Sequence, residues 1–198
     1  MRIDELTVGM VQTRCYILGQ EGGQECIVID PGAEAERIRK AAGDRRIAAI
    51  LLTHGHFDHI GATQALLNSQ LRDRENDGNK EGIRIFIHAL DAPMLTDPVL
   101  NAGKGLLGRE ITAPEATDLV KEGDELALAG LKIKVLHTPG HTPGSVCYQI
   151  ENELFTGDTL FDFGWGRTDL PGGSEEQMED SLRRLMPLVR TMPMHAGH

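Results

Sequence analysis

Residues 53–59 read T-H-G-H-F-D-H, so His54, His56, Asp58 and His59 crowd into six positions directly after the apolar run A-A-I-L-L. Imidazole nitrogens and carboxylate oxygens are the donors that Zn²⁺, iron and manganese accept, so metal binding is the chemistry this stretch offers. In extended backbone, residues two apart point to the same side, and His54 and His56 can therefore face one ion. Asp58 and His59 fall at the start of the following helix, where their side chains aim elsewhere and a second ion is the natural recipient. A single site made of all four residues would be a cramped chelate.

Three more ligand-type residues occupy the same kind of place. His141 follows the strand-like L-K-I-K-V-L-H-T inside T-P-G-H-T-P-G, Asp158 follows E-L-F-T-G, and His198 follows T-M-P-M. Each lies in a glycine- or proline-punctuated loop at the C-terminal end of an apolar strand, and a rigid sheet can gather such loops along one edge. His88 in I-F-I-H-A and His137 read as structural, while His195 is the rival of His198 as the last ligand. Asp30 in V-I-D-P-G is either a plain turn residue or a support for the histidine loop. Arg167 and Asp169 in G-R-T-D form either a loop ion pair or a substrate contact, with Arg167 the better candidate for an anionic group.

The elements that must hold these loops are short. Residues 13–20 and 25–30 predict a hairpin across E-G-G, residues 33–43 a helix with Ala35, Ile38 and Ala42 at helical spacing and a closing glycine, and A-A-I-L-L-T a buried strand. Ile60, Leu67 and Leu71 share a face of the helix after the histidines. Charged residues 72–82 predict an exposed loop before the strand I-R-I-F-I-H-A, and residues 97–117 predict a long irregular segment of the kind that forms lids or surface excursions. Its G-K-G is not a phosphate loop. Two hairpins follow, turning at Ala129-Gly130 and Glu151-Asn152, then a helix over 174–188 with Ser174 and Gln177 as a capping box and Met178, Leu182, Leu185 and Met186 as its inner stripe. Strands precede helices in both halves, which predicts two packed sheets with helices outside, an α+β or layered α/β architecture rather than a doubly wound parallel sheet.

A chain of 198 residues fits one domain with a substantial core, so a metal here need not be structural. The net charge of −10 and the lack of a Lys/Arg-rich run disfavour nucleic acid as a partner. Cys15, Cys26 and Cys147 are odd in number and embedded in apolar strands, as reduced core cysteines are. The N-terminus lacks the pattern of a secretory leader, and no run reaches the about 18 apolar residues of a membrane span, so the expectation is a cytoplasmic protein with no membrane partner.

Read in order, V-I-D-P-G at 28–32, T-H-G-H-F-D-H, T-P-G-H-T-P-G-S at 138–145, T-G-D-T-L-F at 156–161 and G-R-T-D-L-P-G-G at 166–173 make a highly specific set. The sequence resembles the metallo-β-lactamase-fold hydrolases, and among them the glyoxalase II-like, or hydroxyacylglutathione hydrolase-like, group. The resemblance implies a four-layer αββα sandwich, two mixed sheets flanked by helices. It implies one metal on His54, His56 and His141, another on Asp58, His59 and His198, and Asp158 between them. The cofactors expected are two divalent ions, Zn²⁺ first, with iron or manganese compatible with the same donors. The activity expected is hydrolysis of a small thioester or related acyl compound by a hydroxide shared between the ions, oriented by Asp58 and Asp158. A mononuclear-iron persulfide dioxygenase on the same fold is the alternative; a nuclease of the superfamily fits the acidic balance least.

The sequence departs from the family in two ways. It ends M-P-M-H-A-G-H, where relatives commonly read P-G-H-G and a short tail. It also reads as a single hydrolase domain over residues 1–198, without the helical C-terminal domain with which glyoxalase II helps bind glutathione.

Overall fold

The computed structural model describes residues 1–69 and 82–198. Six strands form the first sheet, in the order β1 (Arg2–Val8), β2 (Thr13–Gly19), β3 (Glu25–Ile29), β4 (Arg46–Leu51), β5 (Arg84–His88) and β6 (Asp118–Val120). The β1–β2–β3 pairings are antiparallel, and β3 to β6 run parallel. Five strands form the second sheet: β7 (Glu125–Leu128), β8 (Leu131–His137), β9 (Val146–Ile150), β10 (Glu153–Gly157) and β11 (Met194–Ala196), with β11 at one edge, parallel to β10. Both sheets are therefore mixed, as expected.

The alternation of side chains sorts three apolar layers. Cys26 and Val28 of β3 face outward with Cys15, Ile17 and Ile50, against Ile38 and Ala42 of α1 (Ala35–Ala42), Ile60 of α2 (Phe57–Ile60) and Leu66 of α3 (residues 63–69). Ile27 and Ile29 face the other way, with Tyr16, Leu51 and Phe86, and meet Ile133, Val135, Tyr148 and Phe155 of the second sheet. Beyond that sheet, Leu136, Cys147 and Leu154 pack on Leu185 of the last helix. The inner strands are apolar without alternation because both of their faces are covered. β8 alternates because Lys132 and Lys134 reach water. The result is the four-layer αββα sandwich. The three cysteines are free thiols inside it.

Most sequence-derived elements recur within a residue or two. Two buried tyrosines tie the layers to the strand ends: the Tyr148 hydroxyl donates to the Leu52 carbonyl at 2.9 Å, and that of Tyr16 donates to Ala196 at 2.6 Å. Residues 97–117 are more ordered than expected, since they contain α4 (Gly103–Leu107) and the buried Asn101, whose amide donates to the carbonyls of Met94 and Ile111. The last helix, α5 (Glu175–Val189), buries Met178, Ser181 and Leu185, whereas Met186 is exposed. The stripe includes Ser181, whose hydroxyl donates to the Pro139 carbonyl at 2.6 Å. The capping box is one-sided: Ser174 accepts from the Gln177 backbone, but its own N–H donates to Gly140. Leu71 and most of the 72–82 segment lie outside the described residues. Among the described residues no helix is long and apolar enough to cross a membrane.

Candidate metal centre

Strands β3, β4 and β5 are parallel, as are β10 and β11, and β8 shares the direction of β10 through the antiparallel β9. Their C-terminal ends therefore open along one edge of the sandwich. There the loops after β4, β8, β10 and β11 deliver His54, His56, Asp58 and His59, then His141, Asp158 and His198.

The side chains fall into three overlapping groups whose donor atoms all lie within 4.8 Å of one another: His54, His56 and His141; His54, His59 and Asp158; and Asp58, His59 and His198. The first and third coincide with the two triplets that the resemblance implies. Asp158 lies between them, with Oδ2 3.5 Å from His141 Nε2 and from His198 Nε2, and Oδ1 3.4 Å from His59 Nε2. All but His198 and Asp58 are buried. A buried polar atom without a partner costs about 1–3 kcal/mol, yet His54 Nε2, His56 Nε2, His59 Nε2 and Asp158 Oδ1 stand together with no hydrogen-bond partner. Clustered bare donors of this chemistry fit divalent cations.

Four of the five rings have an oxygen behind them. The Thr53 hydroxyl donates to Asp30 Oδ2 at 2.6 Å, so the His54 Nδ1–H must be the donor in its 3.1 Å contact with Thr53 Oγ1, leaving His54 Nε2 as a lone pair. His141 Nδ1–H donates to the Arg167 carbonyl at 2.7 Å, and His198 Nδ1–H to that of Val11 at 3.1 Å. His59 Nδ1 lies 3.0 Å from Asp30 Oδ2. Four Nδ1 atoms thus face oxygen and four Nε2 atoms face the centre, the arrangement that fixes metal-ligating histidines. In His56, Nδ1 itself faces His141 Nε2 at 2.8 Å.

Charge follows the same geometry. Burial, reinforced by the neighbouring histidines, keeps His54 neutral and pushes His56 down to about 3. Burial also works against a charge on His59 and His198, but the carboxylates of Asp158 and Asp58 outweigh it and hold them at about 9 and about 10. Partial burial works against a charge on Asp58, but His59 and His198 face it and keep it ionised well below the usual carboxylate range.

Asp30, left open by the sequence, supports the histidine loop. Its backbone adopts a left-handed φ of 50°, and its carboxylate accepts the Thr53 N–H at 2.8 Å as well as the Thr53 hydroxyl. Asp91 was not foreseen. It is wholly buried and accepts from Gly55 N at 3.0 Å, Thr142 Oγ1 at 2.6 Å and Gly144 N at 2.7 Å, which ties the first histidine loop to the loop of His141. Its signal was a lone carboxylate among apolar neighbours in A-L-D-A-P. Thr13, which donates to Asp58 Oδ2 at 3.1 Å, gave no such signal.

Gly55 and Gly197 are required by close approach: a Cβ on Gly55 would lie 2.5 Å from that of Met94, and one on Gly197 would collide with Asp158 Oδ1.

Other candidates lie apart. His195 Nε2 pairs with Glu153 at 2.9 Å, and its ring stacks on Phe155. His88 and His137 stack on each other with centroids 4.2 Å apart. Arg167 lines the cleft over the centre, and its guanidinium grips Asp169 through two contacts of 2.6 and 2.7 Å.

Comparison with known proteins agrees with this geometry. The chain belongs to the metallo-beta-lactamase superfamily, whose family pattern matches residues 8–70 and 78–192. It is 35% identical to the probable metallo-hydrolase YqgX of Bacillus subtilis over 100% of this chain and 90% of that protein. It is 36% identical to the hydroxyacylglutathione hydrolase GloC of Haemophilus influenzae, over 100% and 91% respectively. Among solved structures it is similar to the BLEG-1 B3 metallo-beta-lactamase, with a TM-score of 0.85 at 36% identity over 100% of this chain and 91% of that one. TTHA1623 in a di-iron-bound form gives a TM-score of 0.81 at 32% identity over 98% and 91%.

Proposed function

We propose that the protein is a metal-dependent hydrolase of thioesters or related small acyl compounds, similar in chemistry to glyoxalase II. The observation that carries this reading is the set of inward Nε2 atoms on His54, His59, His141 and His198, each backed by an oxygen at Nδ1. His54, His56 and His141 would hold one divalent ion and Asp58, His59 and His198 another, with Asp158 shared; the donor set suits Zn²⁺ and also iron or manganese. Two such ions supply Lewis acidity that brings the pKa of a water toward neutrality and polarises an acyl oxygen.

The remaining work falls to the side chains. Asp58, ionised and fixed by the Thr13 hydroxyl, and Asp158, between the two triplets, orient the water and are the catalytic carboxylates of this reading. The oxygen of water bonds to the acyl carbon and the carbon–sulfur bond breaks. The two protons of water end on the product acid and the product thiol. A thiolate leaving group, with an ordinary pKa of about 8.5, needs little help from a general acid. The 36% identity to a hydroxyacylglutathione hydrolase supports a thioester as the substrate class.

The test is a panel of thioesters, lactones and esters offered to metal-replete protein. Hydrolysis well above the blank is expected, and a rate equal to the blank throughout would sink the proposal. One iron per chain with oxygen uptake and no hydrolysis would instead favour persulfide dioxygenase-like chemistry; the relative with a di-iron-bound structure indicates that iron deserves this control.

A further inference from the structure

The cleft over the candidate centre is small, about 270 Å³, and, Arg167 apart, its walls beyond the ligand residues carry no charged side chain. Val11 comes from the β1–β2 turn, Leu106 from α4, and Phe161 and Leu170 from the segment after β10. These elements are far apart in sequence, yet each presents an aliphatic or aromatic side chain. Val11 is 41% exposed and Leu106 52%, so both present apolar surface that the described residues leave uncovered.

Charge tells the same story. Among the described residues lining the cleft, the one Lys or Arg is Arg167, and the Nε–Nη2 edge of its guanidinium is held by Asp169. A glutathione thioester carries two carboxylates, and these walls offer them one guanidinium that Asp169 already shares. At about 270 Å³ the cleft is at the small end of small-molecule sites, so a tripeptide would extend beyond it. Resting on the hydrolase reading above, we propose that the acyl group seated in this cleft is a short, uncharged apolar chain, and that glutathione is not the preferred thiol.

The test uses the full-length, metal-loaded chain with acetyl, butyryl and hexanoyl thioesters of N-acetylcysteamine beside S-lactoylglutathione. Burying a methylene favours binding up to about fourfold, so kcat/KM should rise two- to fourfold per methylene from acetyl to butyryl and stay at least tenfold above that for S-lactoylglutathione. Leu106→Lys, a surface change, should lower kcat/KM for the hexanoyl compound about tenfold with metal content equal to the parent's. A flat or falling trend with chain length, or S-lactoylglutathione hydrolysed as well as the butyryl compound, would overturn the inference while leaving the hydrolase reading intact. Inertness toward every thioester would overturn both.

Discussion

Asp30 Oδ2 lies 3.0 Å from His59 Nδ1, and the same atom accepts the hydroxyl of Thr53, which in turn receives the Nδ1–H of His54. One buried carboxylate therefore orients a histidine of each proposed triplet, one directly and one through a threonine. The left-handed backbone at Asp30 costs about 1–3 kcal/mol, and two hydrogen bonds to a charged acceptor, at about 1.5–3 kcal/mol each, offset it. Asp30→Asn, which puts an amide N–H₂ where an acceptor is needed, should leave the fold intact and weaken metal binding about 10- to 100-fold. Chelator competition measures this directly; parental affinity in the variant would show that Asp30 only turns the chain.

Asp91 makes a different prediction because its three donors come from two loops. Asp91→Ala leaves the Gly55 and Gly144 N–H groups unpaired, at about 1–3 kcal/mol each before relaxation, while Thr142 Oγ1 keeps Ser145 Oγ at 2.7 Å, so a loss of about 2 kcal/mol or more is expected. Urea unfolding of the metal-free protein gives the number. A loss under about 1 kcal/mol would mean that the loops are held elsewhere.

Metal loading should release protons. In the metal-free protein His59 and His198 are raised to about 9 and about 10, so at pH 7 both carry a proton on the side facing the carboxylates. A raised pKa means that the proton is lost only as pH rises through that value, and an ion must displace it first. Zinc added at pH 7 in weak buffer should release close to two protons per chain, falling toward none above about pH 10, with apparent affinity rising between. Release that does not change over this range would contradict the charge assignment.

The two C-terminal histidines should separate cleanly. His198 faces Asp58 and Asp158, whereas His195 pairs with Glu153. His198→Ala should lower the metal content measured by elemental analysis, and His195→Ala should not. The reverse pattern would exchange their roles.

Much of this arrangement was legible in the sequence, for identifiable reasons. Strands covered on both faces wrote themselves as C-I-V-I and A-I-L-L, and the seven ligand-type residues stood out because His and Asp cluster in glycine- and proline-marked loops after such strands. Contacts across long separations were not legible. Asp91 meets Gly144 over 53 positions and Thr13 meets Asp58 over 45, and neither pair leaves a periodic trace. Met186 reads as inward from its apolarity and helical spacing, whereas α5 turns Ser181, with its hydrogen bond to Pro139, inward and leaves Met186 exposed. The helix α4 escaped because G-K-G-L-L carries two glycines, and Asn101 rather than helix propensity organises that segment.

The most direct measurement is an elemental count on purified, metal-replete protein beside its His59→Ala variant. Two ions per chain in the parent and one in the variant, with thioester hydrolysis lost, is the expected result for two triplets joined at Asp158. One ion in the parent, or two retained in the variant, would contradict the two-ion centre.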